Sequence, residues 1–153
     1  MSTSLQPPHA VMSPLQVLKR HRLRGTMSRI QLLELFLQRP YAMSHAELEA
    51  SLPGESNRIT LYRNLRLFLE KGFLHRVMDE EKGVKYALCA AHPYRSHATD
   101  HVHFKCRKCG ITRCLEEIGI PAIPLPAGYE PDEIQLLVSG TCVRCQPHAP
   151  RNE

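Results

Sequence analysis

Residues 56–88 read SNRITLYRNLRLFLEKGFLHRVMDEEKGVKYAL, and within them the spacing of apolar residues changes from helical to alternating. Before Gly72 the apolar residues recur every three or four positions, which predicts an amphipathic helix that ends at this glycine. From residue 73 onward they alternate, with an interruption at DEEKG where Gly83 can adopt the positive φ of a hairpin turn. The stretch therefore predicts a helix followed by a β-hairpin.

Three shorter helices are predicted before this stretch. The first is expected to begin with Ser13 as N-cap and Pro14 at the first helical position. The second begins at Thr26 and ends at Pro40, and the third begins at Ser44 and ends at Pro53. Several helices followed by a β-hairpin form the element order of a winged helix-turn-helix domain. An α+β fold with such a domain at its start is the prediction.

The predicted fourth helix has two different faces. At about 100° per residue, Leu61, Leu65 and Phe68 share an apolar face. The other face carries the polar side chains Ser56, Thr60 and Arg63, with Arg66 beside them. A recognition helix in a major groove has this pattern, although an ordinary solvated helix can have it too. Residues 1–88 hold 13 Lys/Arg against 8 Asp/Glu, and this basic balance favours contact with DNA.

Four of the six cysteines form two CxxC pairs, Cys106-x-x-Cys109 and Cys142-x-x-Cys145. Two such turns can supply the four thiolates of a structural Zn²⁺ site. A redox motif or a disulfide pair is the alternative, but a redox motif needs only one CxxC. Cys114 lies outside this pattern and is predicted to be a buried free thiol in a strand.

Two histidines near the first CxxC pair are left over for a second site. In a strand HVHFKC, His101 and His103 point to the same face. With His75 in the first hairpin strand and Cys89 after the second, they could hold an ion that joins the two halves of the chain. Zn²⁺ suits this ligand set, and Cu or Co could also fit. Additional or substitute ligands are Glu116, Glu117, His92 and His97. The alternative is that these histidines are ordinary surface residues or hydrogen-bonded core residues.

Several classes of function are disfavoured by the sequence. The chain has no apolar run near the ~20 residues of a membrane span, and its first residues lack the pattern of a signal peptide. A cytoplasmic location without membrane contact is therefore expected. Neither H-E-x-x-H nor the deaminase motif occurs, so we expect no enzyme activity and no small organic substrate. A zinc-ribbon adaptor for protein partners is a further alternative.

Over roughly residues 15–146 the chain resembles the ferric uptake regulator (Fur) family of bacterial metal-responsive repressors. RLRGTMSR at 22–29 is similar to the family's G-L-R-x-T-x-x-R, and TLYRNL at 60–65 is similar to T-V-Y-R-x-L. The spacing of the HxHxxCxxC stretch at 101–109 and the final CxxC complete the resemblance. In combination these motifs are specific.

The resemblance implies a homodimer that binds palindromic operators on double-stranded DNA when metal is loaded. It implies base contacts by Tyr62 and Arg63, a minor-groove contact by Arg24 and a phosphate contact by Arg29. The predicted organisation is a flexible arm at 1–12, a winged-helix DNA-binding domain at 13–88, a small α/β metal-binding dimerisation domain at 89–147 and a tail at 148–153.

The position of Cys89 after KYAL, together with the histidine of GFLHRV, resembles the zinc-responsive branch of the family. The sensory ligands implied are His75, Cys89, His101 and His103, with Glu116 possible, for Zn²⁺ or another divalent transition metal. An iron- or peroxide-responsive regulator is the alternative. The proline-rich stretch 120–131 stands where the family usually has a helix, and its four prolines predict an irregular segment.

Overall fold

A computed structural model describes residues 12–52, 54, 57–79, 81, 83–88 and 101–147, with only the backbone at residues 101 and 116. The helices are α1 (Pro14–Arg20), α2 (Met27–Gln38), α3 (His45–Ser51) and α4 (Arg58–Glu70). The strands are β1 (Met43–Ser44), β2 (Leu74–Asp79), β3 (Gly83–Leu88), β4 (His101–Cys106), β5 (Thr112–Gly119) and β6 (Leu136–Gly140). A short 3₁₀ helix covers Val143–Cys145.

The four predicted helices are confirmed, and local hydrogen bonds explain where they begin. Ser13 and Ser44 each accept a hydrogen bond from the backbone N–H three residues on, and the side-chain oxygen at that later position accepts one from the backbone N–H of the serine. Thr26 precedes α2 as predicted, and Asn57 caps α4 with its side-chain oxygen. Gly72 follows α4 with a φ of 78°, which glycine adopts without strain.

The predicted hairpin is confirmed, with Gly83 at a φ of 72°. It belongs to a three-stranded antiparallel sheet of order β1-β3-β2, because Met43 and Ser44 pair with Tyr86 and Lys85. The strand β1 was not predicted. The helices pack on this sheet around fully buried side chains that include Leu18, Leu32, Leu48, Leu65 and Phe68, so the first part of the chain is a winged helix.

A second sheet has the order β5-β4-β6, with β4 antiparallel to β5 and parallel to β6. It contacts the winged helix directly. The backbone N–H of Ala42 donates to the carbonyl of Thr112 at 2.7 Å. Cys114 packs against a buried cluster of Ala42, Val77 and Ala87. These contacts fix β5 beside the hairpin.

The stretch 120–131 is irregular and exposed, as its prolines predict. The final strand, β6, begins at Leu136. Among the residues that the structure describes, no helix has the length and apolar character to cross a bilayer.

Candidate metal centres and nucleic-acid interface

The two CxxC pairs meet at one end of the second sheet. β4 and β6 run parallel, with Cys106 opposite Gly140, so both strands deliver their following turns to the same place. The sulfurs of Cys109 and Cys142 are 3.8 Å apart, and all four cysteine sulfurs lie within 4.8 Å of one another. In tetrahedral zinc–thiolate geometry, sulfurs are roughly 3.8 Å apart. The four-cysteine cluster therefore fits a structural Zn²⁺ ion.

The thiols of this cluster differ in acidity. Hydrogen bonds from the backbone N–H groups of Cys109 and Cys142 lower the pKa of Cys106 to about 6. Hydrogen bonding to the thiols of Cys142 and Cys109 raises the pKa of Cys145 to about 12. Four thiolates this close repel one another strongly unless a cation lies among them. A divalent ion among the sulfurs would allow all four to ionise.

A second cluster lies between the two sheets, and we call its three residues His75, His103 and Cys114 the interdomain cluster. The Nε2 atoms of His75 and His103 are 2.9 Å apart, and the Sγ of Cys114 is 3.2 Å from His75 Nε2. Both histidines are only 4% exposed. His75 comes from β2, whereas the other two residues face each other across β4 and β5. The cluster therefore joins the winged helix to the second sheet through side chains that can bind metal.

The structure places some of the predicted sensory residues but not others. It brings His75 and His103 together, as the predicted site requires. Cys89, His92 and His97 lie outside the described residues, and the side chains of His101 and Glu116 are not described either. The backbone of His101 pairs with Gly119 beside an irregularity in the β4–β5 ladder. Glu117 is exposed, and among the described residues it does not belong to the group of His75, His103 and Cys114.

Cys114 was not predicted to lie beside the histidines, because its position was considered apart from its partner strand. It is half-buried, and its sulfur lies against a histidine rather than in a purely apolar interior. The expected pairing of β4 with β5 was the signal that could have located Cys114. A tight turn at Cys106–Ile111 sets His103 opposite Cys114 when residues are counted outward along both strands.

The α4 face predicted to meet DNA is exposed. Tyr62, Arg63 and Arg66 project to solvent, Thr60 is half-buried, and the apolar face is buried as expected. Arg66 also pairs with Glu70 one turn on, at 3.0 Å. Ser56 lies outside the described residues.

The Arg29 side chain is held by hydrogen bonds next to the exposed face of α4. Its Nε donates to the Oδ1 of Asn64 at 3.4 Å, and its Nη1 donates to the carbonyl of Arg24 at 3.0 Å. Asn64 is buried on α4 and also donates to Ser28. The guanidinium has five N–H groups, so others are available for a phosphate. This network links the exposed Arg24 to α4.

A winged helix is a DNA-binding fold, and here it is joined to a sheet that carries two groups of metal-binding side chains. This combination is that of a metal-binding, DNA-binding protein. Residues 20–124 match the model of the ferric uptake regulator family. The match covers more than half of the 153 residues, and the chain belongs to this family of metal-responsive regulators.

Solved structures of the family share the fold. The ferric uptake regulator of Vibrio cholerae is 23% identical, with 83% of this chain and 98% of that chain covered and a TM-score of 0.53. A zinc-bound manganese uptake regulator is 14% identical, with coverages of 86% and 100% and a TM-score of 0.58. A zinc uptake regulator complexed with zinc and DNA is 19% identical, with coverages of 86% and 89% and a TM-score of 0.52. At these identities the likeness establishes the fold alone. The comparison with curated proteins gives no match.

Proposed function

We propose that the protein is a zinc-responsive transcriptional repressor of the bacterial cytoplasm that binds palindromic operators as a homodimer when its sensory site is loaded. The observation that carries this proposal is the 2.9 Å approach of His75 and His103, which belong to different sheets. The proposed sensory ligands remain His75, Cys89, His101 and His103, with Glu116 possible. This contact supports His75 and His103 as ligands.

The position of the sensory site suggests how metal and DNA binding are coupled. A divalent ion bound by both His75 and His103 would connect β2 of the winged helix firmly to β4 of the second sheet. His75 and His103 would then fix the orientation of α4 relative to the second sheet. Coupling of this kind is typically worth about 1–3 kcal/mol and acts in both directions.

The four-cysteine cluster has a separate, structural role in this proposal. Its sulfurs would hold a zinc ion that stabilises the second sheet, which has few buried apolar side chains of its own. This ion should stay bound while the sensory ion exchanges. The proposed division is therefore one permanent ion and one regulatory ion per chain.

The DNA-binding proposal rests on the exposed polar face of α4 and the basic loop before α2. Its proposed contact residues are Arg24, Arg29, Ser56, Thr60, Tyr62, Arg63 and Arg66. Arg63 and Tyr62 would read bases in the major groove, and Arg24 would enter the minor groove. Arg29 would meet phosphate through the N–H groups that its internal hydrogen bonds leave over.

Homodimer formation is supported by apolar side chains that the single chain leaves exposed. They lie in the second sheet and the proline-rich segment, at Ile118, Ile123, Leu125, Tyr129 and Val138. Where exposed apolar side chains form a patch, the surface is usually covered by a partner. We propose that a second copy of the chain covers it, within the dimerisation domain predicted for residues 89–147.

The test begins with zinc-loaded protein and a pool of random duplexes, from which bound sequences are selected over several rounds. The selected duplex is then used in a gel shift with added zinc or with a chelator that removes the sensory ion. We expect a palindromic sequence to be enriched and its shift to disappear with chelator and return with zinc. A scrambled duplex of the same composition is the control. Selection of no sequence, or a shift that ignores the chelator, contradicts the proposal.

A further inference from the structure

Cys114 approaches the two buried histidines closely enough to share an ion with them. We propose that Cys114 is a ligand of the sensory ion, and that its thiolate makes the site select Zn²⁺ over Fe²⁺ and Mn²⁺. This inference rests on the proposed function of the same site, to which it adds a ligand and a metal preference. It also gives a chemical role to a thiol that the CxxC pattern does not use.

Hydrogen bonding alone is a poor explanation of the interdomain cluster. An imidazole nitrogen carries either one hydrogen or one lone pair, so His75 Nε2 can make one well-directed hydrogen bond. Two polar atoms approach this nitrogen, His103 Nε2 at 2.9 Å and Cys114 Sγ at 3.2 Å. A cation among the three atoms would give each lone pair the same partner. Convergence on one point is the arrangement expected of metal ligands.

The separations are close to those between neighbouring ligands of a zinc ion, with tetrahedral angles taken as the reference. Usual zinc–ligand bond lengths place two nitrogens roughly 3.3 Å apart and a nitrogen and a sulfur roughly 3.6 Å apart. The distances of 2.9 Å and 3.2 Å are each shorter by about 0.4 Å. Small side-chain rotations would open the cluster by this amount and leave the strands in place.

The backbone holds Cys114 at this position. The bond from Ala42 N–H to the Thr112 carbonyl anchors β5 two residues before the cysteine. The register of β4 and β5 places Cys114 opposite His103. One ion bound to the cluster would therefore link the hairpin to both strands β4 and β5, so the connection between winged helix and second sheet would resist rotation better than a link to one strand.

A thiolate ligand also bears on metal choice. Cys114 would bind as the thiolate, with its proton released to solvent. Thiolate with imidazole suits Zn²⁺, whereas Mn²⁺ prefers carboxylate, carbonyl and water oxygens. Fe²⁺ and Mn²⁺ also stand below Zn²⁺ in the general order of affinity for such ligands. The cluster thus favours a zinc-responsive regulator within a family whose solved members include regulators named for iron, manganese and zinc.

The first test uses the wild-type chain, so it does not depend on a variant that folds. Protein with zinc only in the four-cysteine cluster is treated with iodoacetamide, before and after a second equivalent of zinc, and alkylation of Cys114 is followed by mass spectrometry. We expect the second equivalent to slow alkylation at least about tenfold, because a metal-bound thiolate is a poor nucleophile at carbon compared with a free one. An unchanged rate overturns the proposal.

The second test counts sulfur ligands with cobalt. Co²⁺ is added as the second equivalent to chains whose four-cysteine cluster holds zinc, and the sulfur-to-cobalt charge-transfer band is recorded. We expect Cys114→Ser to weaken the band, and Cys114→Ser with Cys89→Ser to abolish it. Arg113→Ser is the matched control, an exposed position in the same strand whose change should leave the band intact. A full band in Cys114→Ser overturns the proposal.

These results can be separated from failure of the proposed function. If the second zinc equivalent tightens DNA binding and Cys114 stays reactive, the ligand assignment is wrong and the function stands. If Cys114 is protected but DNA binding does not respond, the ligand assignment stands and zinc-dependent repression is wrong.

Discussion

Asp79 lies between two lysines where the hairpin meets the second sheet, and Asp79→Asn tests whether this buried charge stabilises the contact. The carboxylate side chain is 1% exposed. Lys105 Nζ lies 2.7 Å from its Oδ1, and Lys85 Nζ lies 3.2 Å from its Oδ2. The pairing with Asp79 raises the pKa of Lys105. Asparagine preserves the size of the side chain and the oxygen that accepts the Glu81 N–H. It replaces the oxygen that faces Lys85 with an amide nitrogen, so the substitution removes the charge and one acceptor.

The expected cost follows from the burial of the pair. Lys85 is 2% exposed, and in the variant its ammonium would remain buried without the carboxylate. Breaking such a pair typically costs about 3–5 kcal/mol. For a chain of this length, that cost lowers the melting temperature by roughly 6–20 °C. Lys105 should add to the effect in the same direction.

The assay is thermal unfolding of the zinc-loaded protein, followed by circular dichroism. Glu81→Gln is the matched control, because Glu81 approaches Lys105 at 3.3 Å but is 78% exposed. Exposed ion pairs contribute little to stability, so this control should melt close to the wild type. If Asp79→Asn melts no lower than Glu81→Gln, the reasoning about the buried pair is refuted.

Three further predictions concern DNA contact, the structural ion and pH. Arg63→Ala should cost about 1–3 kcal/mol of binding to the selected duplex and relax the sequence preference of the protein, whereas Arg29→Ala should weaken binding to all duplexes alike. Fluorescence anisotropy with selected and scrambled duplexes measures the affinity of each variant. Equal behaviour of the two variants contradicts the assignment. Cys142→Ser should lower the zinc content by one ion per chain and unfold the second sheet, as elemental analysis and circular dichroism would detect; a full zinc content argues against the four-cysteine site. Burial lowers the pKa of His21, so the unfolded chain takes up this proton more readily and stability falls as the pH drops below 6.5. In urea unfolding on either side of that pH, His21→Gln should lose part of this pH dependence, and an unchanged dependence contradicts the prediction.

Local patterns predicted most of the fold. The four helices have clear caps and apolar spacing, and Gly72 and Gly83 stand where a positive φ is required. The strand β1 was missed because two residues, Met43–Ser44, are too short for any periodicity to appear. Its existence depends on pairing with β3, which is a tertiary contact.

The candidate sites were predictable to different degrees. The four-cysteine cluster could be proposed because each CxxC turn is local and parallel strands bring the two turns together. The contribution of Cys114 depends on the register of β4 and β5. The Asp79 network requires the packing of the hairpin on the second sheet, which no sequence spacing reveals. Contacts between distant segments are therefore the part that only the structure supplied.

The most direct test of the coupling between metal and DNA is the dissociation constant of the selected duplex, measured by anisotropy as zinc is added beyond the first equivalent per chain. The wild type and His75→Ala are compared, since the substitution removes the ligand that the hairpin provides and leaves the four-cysteine cluster intact. We predict that the wild type binds DNA about 5–150-fold more tightly with the second equivalent, and that His75→Ala shows no gain. A gain of the same size in both proteins would contradict control of DNA binding from the interface between the two sheets.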